Sequence, residues 1–166
     1  MDKEKIQDGA ASITTRPITQ DDEPFLYEVY ASSRALEMSV VPWDEAQKEA
    51  FLKQQFTAQK HHYLKHYPEA QYQIILLDER AVGRLYMDSR ESEIRILDVT
   101  LLPQYRGAGL GTPLIREIMS EGQRSGRAVS IYVDNFSPAL RLFDRLGFYK
   151  IEENGINVLF KWNPPE

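Results

Sequence analysis

Three glycines stand at alternate positions between a strand pattern and a helix pattern, in the stretch PQYRGAGLGTPL over residues 103–114. The apolar segment IRILDVTLL before the glycines predicts a strand. Leu114, Ile115 and Ile118 after them predict one face of an amphipathic helix. Glycine costs backbone entropy, so three of them in one turn need a reason. The fold must therefore carry a strand through a glycine turn directly into a helix.

This strand–turn–helix junction is an arrangement that binds anions. The first N–H groups of a helix have no partners within it, and the helix dipole adds partial positive charge there. Gly107, Gly109 and Gly111 would let a phosphate approach the backbone, and Arg106 would add a charge-assisted contact. The loop fits neither the Walker pattern nor the dinucleotide pattern G-x-G-x-x-G. The loop therefore predicts a phosphate-bearing ligand that is bound in neither of these two ways. The alternative is that the turn only joins the strand to the helix and binds nothing.

The composition is that of one globular domain. The chain has 166 residues, of which 42% are hydrophobic and 27% charged, which is enough apolar material for a core. The formal net charge of −5 argues against nucleic acid as a partner, because nucleic-acid binders usually present a basic face. It stays compatible with one small anion held by a local basic group.

The chain contains no cysteine, which excludes disulfides, thiolate catalysis and cysteine metal sites. No apolar run approaches the length of a membrane span, and the charged start MDKEKIQDGA lacks the apolar core of a signal peptide. We therefore expect a cytoplasmic protein with no membrane partner. His62 and His66 are spaced to hold a metal on a helix, but no third ligand follows at a known spacing, so we expect no metal.

Hydrophobic periodicity predicts strands and helices in the order β, α, α, β, β, β, α, β, α, β, β. We expect a flexible tail over residues 1–12 and a single domain over residues 13–166. Three hairpin-linked strands precede the glycine loop, and strand–helix–strand units follow it. This order predicts a mixed sheet with helices on its faces.

Capping residues mark where several predicted elements begin and end. The segment DDEPFLYEVYASSRALE predicts one helix. Asp44 and Gln47 form a capping-box pattern at the start of the long second helix. Gly122 or Gly126 is the predicted end of the helix after the glycine loop. Ser137 is the predicted N-cap of the last helix.

Two stretches together resemble the GNAT superfamily of N-acetyltransferases. The first, QYRGAGLG, matches the family segment Q/R-x-x-G-x-G/A at Gln104, Gly107 and Gly109. The second, NFSPALRLFDRLGF, resembles the later family stretch N-x-x-A-x-x-L-Y-x-x-x-G-F. The element order over about residues 13–162 also fits. The resemblance implies a single-domain α/β (α+β) fold with a mixed, mostly antiparallel sheet, helices on both faces and a splayed central strand pair.

The resemblance implies acetyl-CoA as co-substrate. The strand before the glycine loop would carry a bulge and splay from the next strand, leaving a gap for the pantetheine arm. The pyrophosphate would lie on the amides of residues 106–112. The expected coenzyme contacts are Val99, Thr100, Leu101, Gln104, Arg106, Gly107, Ala108, Gly109, Leu110, Gly111, Thr112, Asn135, Ser137 and Phe143.

The resemblance also suggests catalytic residues. An alkyl ammonium must lose a proton before it attacks a thioester, so a base assists at neutral pH. Glu93 stands as far before QYRG as the catalytic glutamate of histone-type relatives, and an exposed structural carboxylate is its alternative role. Asp98 lies deeper in the strand, where burial would raise its pKa. The amide of Val99 is the candidate donor to the oxyanion.

The second stretch departs from the family pattern at its tyrosine. Phe143 stands where relatives often keep the acid that protonates the departing thiolate, and phenylalanine has no proton to donate. Tyr132, Tyr149 and Tyr86 are the candidate substitutes, each with core packing as its alternative role. The asparagine of the motif is also out of register, because Phe136 takes its place between Asn135 and Ser137.

The acceptor site is expected on the first two helices and the loop between them, as in the family. Tyr30, Arg34, Trp43 and Arg84 are the candidate lining residues. The predicted function is acetyl-CoA-dependent transfer of an acetyl group to a primary amine of a small molecule, peptide or protein. The resemblance also allows a homodimer, the state of many relatives. A non-catalytic acyl-CoA sensor is the alternative function. Acetylation of charged tRNA is a third reading, which the acidic composition disfavours.

Overall fold

A computed structural model describes residues 4–5 and 12–166 of the chain. In this part of the chain, eight strands form one sheet in the order β1-β2-β3-β4-β5-β6-β8-β7. Neighbouring strands are antiparallel except β5 and β6, which are parallel. The strands are β1 (Glu4–Lys5), β2 (Ser12–Pro17), β3 (Gln71–Leu77), β4 (Arg80–Ser89), β5 (Glu93–Leu101), β6 (Ala128–Asp134), β7 (Tyr149–Glu153) and β8 (Asn157–Trp162).

Helices cover both faces of this sheet, so the predicted mixed, mostly antiparallel fold is confirmed. The helices are α1 (Glu23–Ser33), α2 (Ala35–Ser39), α3 (Glu45–His66), α4 (Gly111–Ser125) and α5 (Ala139–Arg145). Single 3-10 turns lie at Gln20–Asp22 and Pro103–Tyr105. Of the tail predicted over residues 1–12, Glu4–Lys5 pair with β2 and Ser12 begins that strand. Residues 1–3 and 6–11 lie outside the described residues.

Each face of the sheet has its own hydrophobic core. On β3, Ile75 points into the core under α4 and α5, while Ile74 and Leu76 point into the core under α1 to α3. This alternation follows from the two-residue repeat of a strand. Burying each such side chain stabilises the fold by about 1.5–3 kcal/mol. A strand with apolar residues at consecutive positions therefore serves both cores.

The predicted boundaries of two helices are confirmed. Asp44 Oδ1 accepts a hydrogen bond from the Gln47 amide at 2.8 Å, and Gln47 Oε1 accepts one from the Asp44 amide at 3.0 Å, which completes the capping box of α3. Gly126 ends α4 in the left-handed conformation, with φ of 69°. These caps supply partners to backbone groups that a helix end leaves free.

Two other predicted boundaries are wrong. The single helix predicted at the start of the domain breaks after Ser33 into α1 and α2. The hydroxyls of Ser32 and Ser33 donate to the carbonyls of Val29 and Tyr30, and such bonds compete with the helical ladder. In α5 the N-cap is Pro138 rather than Ser137.

Strands β5 and β6 pair over only part of their length. Pairing runs from Glu93–Ala128 to Ile96–Ile131 and then stops, and β6 continues against β8 alone. On its other edge β5 shifts register against β4, because Tyr86 faces Asp98 while the next residue faces Ile96. Leu97 is therefore a bulge. The predicted bulge and splayed strand pair are both present, and they leave a gap beside β5 from Leu97 onward.

Candidate active site

The glycine loop that follows β5 leaves the start of α4 open. Gly107 and Gly109 have φ of 74° and 79°, angles that side chains other than glycine adopt only with strain. A Cβ at either position would meet no atom within 4 Å, so the loop surface is unobstructed. No side chain of the described residues caps the first turn of α4, and that turn contains no acidic residue. Free amides and the positive end of a 15-residue helix therefore face solvent here.

The loop is anchored to the sheet at both ends. Leu110 is buried in the core under α4. Arg106 is an exposed residue whose Nε donates to the Leu101 carbonyl at 2.8 Å. Gln104 and Ala108 are exposed on the same loop. The Arg106 amide donates to the Pro103 carbonyl at 3.2 Å, so the expected phosphate contact of Arg106 comes from the rest of its guanidinium.

The gap between β5 and β6 runs from this loop toward α3. Val99, Thr100 and Leu101 pair with β4 on one edge only, and their other edge is free of β6. Gly83 permits the close pairing with β4, because a Cβ there would lie 2.3 Å from the Thr100 carbonyl oxygen. The expected position of a pantetheine arm is therefore an exposed strand edge that continues into the glycine loop.

A cavity of about 320 Å³, here called the transfer cavity, opens where the strands separate. Leu97 and Tyr132 lie just past the last paired residues of β5 and β6. The imidazole of His62 and the phenol of Tyr63 reach it from α3. The lining is Gln59, His62, Tyr63, Tyr67, Arg95, Ile96, Leu97 and Tyr132. One imidazole of α3 and one phenol of β6 thus face the end of the gap.

Glu93 lies at the closed end of the strand pair. Its Oε2 accepts hydrogen bonds from Ser130 Oγ at 2.7 Å and from Arg95 at 3.1 Å. Burial raises the pKa of Glu93, but the Ser130 hydroxyl and the charges of Arg95 and Lys161 outweigh it and lower the pKa. The backbone of Glu93 lies four positions before Leu97, about 13 Å along the strand. Its carboxylate is held by a polar cluster in which Arg95 stands between it and the transfer cavity.

Asp98 lies beside the gap, and both oxygens of its carboxylate accept hydrogen bonds from neighbouring side chains. Its Oδ2 accepts a hydrogen bond from Arg84 Nη2 at 2.6 Å, and its Oδ1 accepts one from Thr100 Oγ1 at 2.6 Å. Arg84 Nη2 also donates to Gln59 Oε1 at 3.0 Å, which ties β4 to α3. Arg84 is only 2% exposed, so its charge is balanced by Asp98 inside the protein.

A second cavity, here called the aromatic cavity, lies next to the first between α1, α3 and the sheet. Its volume is about 290 Å³. Gln59 and Tyr63 line both cavities. Its walls are Ile18, Thr19, Gln20, Glu23, Leu26, Phe56, Gln59, Lys60, Tyr63, Leu64, Tyr72, Arg84 and Tyr86.

The structure does not bring Phe143 to the surface, as a coenzyme contact would require. Phe143 is 1% exposed and packs against Phe148 and Phe160 at ring distances of 5.1 and 6.2 Å. Phe143 lacks the tyrosine hydroxyl of the family motif, and its ring packs in the core instead. Ser137 Oγ accepts the Ala139 amide at 3.1 Å, and the Asn135 amide donates to the Ile156 carbonyl at 3.0 Å.

Among the four predicted acceptor residues, Arg84 lines the aromatic cavity and the other three do not. Tyr30 is 5% exposed in the core, and its hydroxyl accepts a hydrogen bond from Arg34. Arg34 also pairs with Glu37. Trp43 packs on Phe51 near the start of α3, with ring centroids 5.4 Å apart. These three residues brace the helices rather than face the cavity.

Sequence reasoning missed Tyr63, and it considered His62 only as a metal ligand. The signal available for both was their position on α3, about two helical turns beyond the buried Phe56. Periodicity places such residues near the core without saying whether they reach a cavity. Tyr132 was noted as a substitute acid, and the structure places it in the wall of the transfer cavity.

Comparisons with known proteins cover the part of the chain that contains this site. A family model described as "Acetyltransferase (GNAT) family" matches residues 27–148. Among solved structures, the PaiA N-acetyltransferase of Thermoplasma acidophilum in complex with coenzyme A has a TM-score of 0.68 at 17% identity, covering 92% of this chain and 99% of that one. An acetyltransferase from Thermus thermophilus has a TM-score of 0.64 at 18% identity, with 91% and 96% coverage.

A third similar structure is the N-acetyltransferase PseH of Campylobacter jejuni, with a TM-score of 0.60 at 15% identity and coverage of 92% and 99%. No curated protein sequence gives a match. At these identities the structural similarities show the fold. Within the described residues, no helix has the length and apolar character of a membrane span, and no group of three or more His, Asp or Glu side chains is placed to hold a metal ion.

Proposed function

Because the chain belongs to the acetyltransferase (GNAT) family, we propose that it transfers an acetyl group from acetyl-CoA directly to a primary amine. One observation supports this most strongly. The free edge of β5 from Leu97 to Leu101 is followed by one 3-10 turn and the glycine loop, which ends at the uncapped start of α4. A long ligand with an anionic middle and an extended arm matches that continuous surface.

In this proposal the glycine loop holds the coenzyme. Amides of the loop and of the first turn of α4 bind the pyrophosphate, and the free edge of β5 binds the pantetheine amides. The remaining proposed contacts are Val99, Thr100, Leu101, Gln104, Arg106, Gly107, Ala108, Gly109, Leu110, Gly111, Thr112, Asn135 and Ser137. The open positive-φ glycines support this assignment, because a ligand can approach their backbone without meeting a side chain.

The reaction joins the amine nitrogen to the thioester carbonyl carbon and breaks the carbon–sulfur bond. One amine proton must leave, and the departing sulfur must finally gain one, so the net reaction needs no other reactant. The protein's part is to place the amine, hold the oxyanion and move the proton. An amide of β5 at the gap, for which Val99 is our candidate, would donate to the oxyanion.

The proton acceptor proposed here is His62. It lines the transfer cavity, and it makes no hydrogen bond or ion pair with another described residue. The groups around it are His66 at a ring distance of 4.5 Å, Tyr63, Tyr67 and the guanidinium of Arg95. Imidazole is the side chain best suited to accept a proton near neutral pH.

Glu93 and Asp98 remain predictions as catalytic carboxylates. A lowered pKa makes Glu93 a weaker base, and it would need a chain of waters to reach the gap. Asp98 is better suited to hold Arg84 and Thr100 in place. These contacts are the reason why His62 ranks first among the three.

Tyr132 is the proposed proton donor to the departing sulfur, in the place of the hydroxyl that Phe143 lacks. It lies at the start of the gap and is 43% exposed. Its hydroxyl donates to Glu152 Oε1 at 3.1 Å, and this hydrogen bond raises the pKa of Tyr132. The phenol therefore keeps its proton at neutral pH, and in this proposal its single O–H turns from Glu152 to the departing sulfur.

The proposal is tested by incubating the protein with acetyl-CoA and a panel of primary amines and following the release of free thiol. We expect amine-dependent release together with acetyl-CoA binding by calorimetry. Binding without release for any amine would favour the acyl-CoA sensor. If the protein neither binds acetyl-CoA nor releases thiol, the proposal is refuted.

A further inference from the structure

The aromatic cavity has the size of one ring system. Its volume of about 290 Å³ is roughly twice the volume of about 150 Å³ at which an apolar cavity binds benzene. Leu26, Phe56, Tyr63, Tyr72 and Tyr86 supply apolar and aromatic wall. Releasing water from such a wall favours an apolar occupant. A folded peptide segment would not fit, whereas a single aromatic group with a short arm would.

The walls of this cavity are held in place without an occupant. Tyr72 donates through its hydroxyl to the carbonyls of Tyr63 and Tyr67, at 3.1 and 2.8 Å, and so fixes the end of α3 to β3. The Tyr86 ring meets the Tyr63 ring edge-on at 5.3 Å and the Tyr72 ring at 4.8 Å. A preformed pocket loses little entropy when it binds its ligand.

Among the described residues that line the cavity, no carboxylate is without a cationic partner. Burial raises the pKa of Tyr63, Tyr72 and Tyr86, so these phenols are neutral at neutral pH. Glu23 at the mouth pairs with Lys60 at 3.0 Å. The charge inside the wall is that of Arg84, which Asp98 already balances. A second ammonium group on the occupant would be buried without a partner, which is costly.

Gln59 and Tyr63 line both cavities, so the aromatic cavity and the transfer cavity lie side by side. We propose that the acceptor is a primary arylalkylamine whose ring fills the aromatic cavity and whose short alkyl arm passes the Gln59 and Tyr63 side chains to bring the amine toward His62 and Leu97. This inference rests on the proposed function, since it specifies the acceptor of that reaction.

Thiol release from acetyl-CoA tests the substrate class with four probe amines. Phenethylamine should exceed n-propylamine in kcat/KM by at least about tenfold, because even one methylene in an apolar pocket changes specificity by about 10- to 200-fold. Tyramine, which has the same ring and arm, should likewise exceed n-propylamine. Spermidine should be the poorest of the four. Equal or higher kcat/KM for spermidine or n-propylamine would overturn the proposal.

A pair of leucine variants locates the binding site. Leu64 lines the mouth of the cavity and is 52% exposed, so Leu64→Trp narrows the mouth without disturbing the core. We expect this variant to lower the ratio of kcat/KM for phenethylamine over n-propylamine at least about fivefold. Leu36→Trp, on α2 and 85% exposed, is the matched control and should leave the ratio unchanged. An unchanged ratio in Leu64→Trp would place the ring elsewhere.

Direct binding separates this inference from the proposed function. Calorimetry of tyramine with the unliganded protein measures acceptor binding without coenzyme, and the Leu64→Trp variant shows whether that binding is in the aromatic cavity. Tyramine binding that Leu64→Trp weakens, without thiol release for any amine, would refute the transferase and keep the cavity assignment. Thiol release with spermidine but no tyramine binding would keep the transferase and refute the arylalkylamine.

Discussion

Single glycines decide whether the loop before α4 can receive an anion. Gly109 has φ of 79° and open space around its Cα. We predict that Gly109→Trp abolishes acetyl-CoA binding by calorimetry, because the ring would cover the loop amides. The left-handed conformation costs a non-glycine residue about 1–3 kcal/mol, which a folded domain tolerates.

Gly155 provides the matched control for this substitution. It also has a positive φ, of 86°, and open space around its Cα, but it lies in the turn between β7 and β8. Gly155→Trp should therefore share the backbone strain and keep acetyl-CoA binding. Normal binding by Gly109→Trp would refute the loop assignment, while loss in both variants would trace the effect to stability.

The choice of base is also a question about single side chains. We predict that His62→Ala lowers kcat/KM for the amine by about 100-fold, the effect typical of losing a general base. Glu93→Gln should change kcat/KM by less than about tenfold, since Glu93 lies at the paired end of the strands. The measurement is the initial rate of thiol release at saturating acetyl-CoA.

His61→Ala is the control for the histidine variant, because His61 is an exposed neighbour on α3 that lines neither cavity. Its rate should match that of the unmodified protein. If Glu93→Gln instead loses about 100-fold and His62→Ala stays normal, the proton leaves through the polar cluster around Glu93.

Among the elements, the turn before α1 is held by a charged pair. Asp22 accepts two hydrogen bonds from Arg16, both at 2.8 Å, and one from the Thr19 amide at 2.8 Å. The bonds from Arg16, opposed by burial and supported by Thr19, lower the pKa of Asp22 to about 2. The turn places Thr19 and Gln20 at the wall of the aromatic cavity, so its stability matters for the site.

A lowered carboxylate pKa has a definite consequence for stability against pH. The ionised form is favoured in the folded state, so the stabilisation is complete above the unfolded pKa of about 3.9 and is lost as the pH falls toward about 2. We predict that Asp22→Asn lowers the free energy of unfolding by about 1–2 kcal/mol at pH 7, allowing for solvent screening of the partly exposed Arg16. The difference should vanish between about pH 4 and about pH 2.

Urea unfolding at several pH values measures this difference. Asp21→Asn is the control, because Asp21 is an exposed neighbour in the same turn. A loss of stability that is the same at neutral pH and at about pH 2 would show that the Asp22 charge is not its cause.

The helix boundaries show how much of the fold can be predicted from residues that are close together in the sequence. The capping box of α3 was predictable because Asp44 and Gln47 bond to each other within one turn of helix. The break between α1 and α2 was not, since the apolar spacing continues through it while two serine hydroxyls compete for the carbonyls. Local patterns thus predict where an element starts more reliably than whether a side chain will interrupt it.

At the scale of the whole molecule, the coenzyme surface combines a strand edge, a loop and a helix end. A ligand that binds only the folded state adds about 2.7 kcal/mol to the free energy of unfolding at about 100 times its Kd. We predict that acetyl-CoA at this concentration raises Tm by about 5–10 °C for a domain of this size. Differential scanning calorimetry measures the shift.

Gly109→Trp should show no such shift at the same concentration. A shift that persists in this variant would mean that acetyl-CoA binds away from the glycine loop. The absence of any shift in the unmodified protein would contradict the gap and loop as a coenzyme site.

The order of elements, the glycine loop and both family motifs were readable in the sequence. Each depends on residues close together along the chain: helix periodicity, a strand pattern, or glycines that permit unusual backbone angles. For the same reason the coenzyme region was predicted in more detail than the acceptor region. Phe143 was the exception, because its burial depends on Phe148 and Phe160 across the core.

The sequence by itself determined the strand–glycine–helix junction and, through it, the expectation of a phosphate-bearing ligand. Only the tertiary structure decided which side chains meet at the gap. Arg84 meets Asp98 through the register of β4 against β5, which the bulge at Leu97 sets, and His62 of α3 and Tyr132 of β6 line one cavity because the fold brings these two elements together. One residue of slip would turn each strand residue to the opposite face. Contacts that depend on strand register are determined by packing across the whole sheet. They therefore cannot be predicted from any short segment of the sequence.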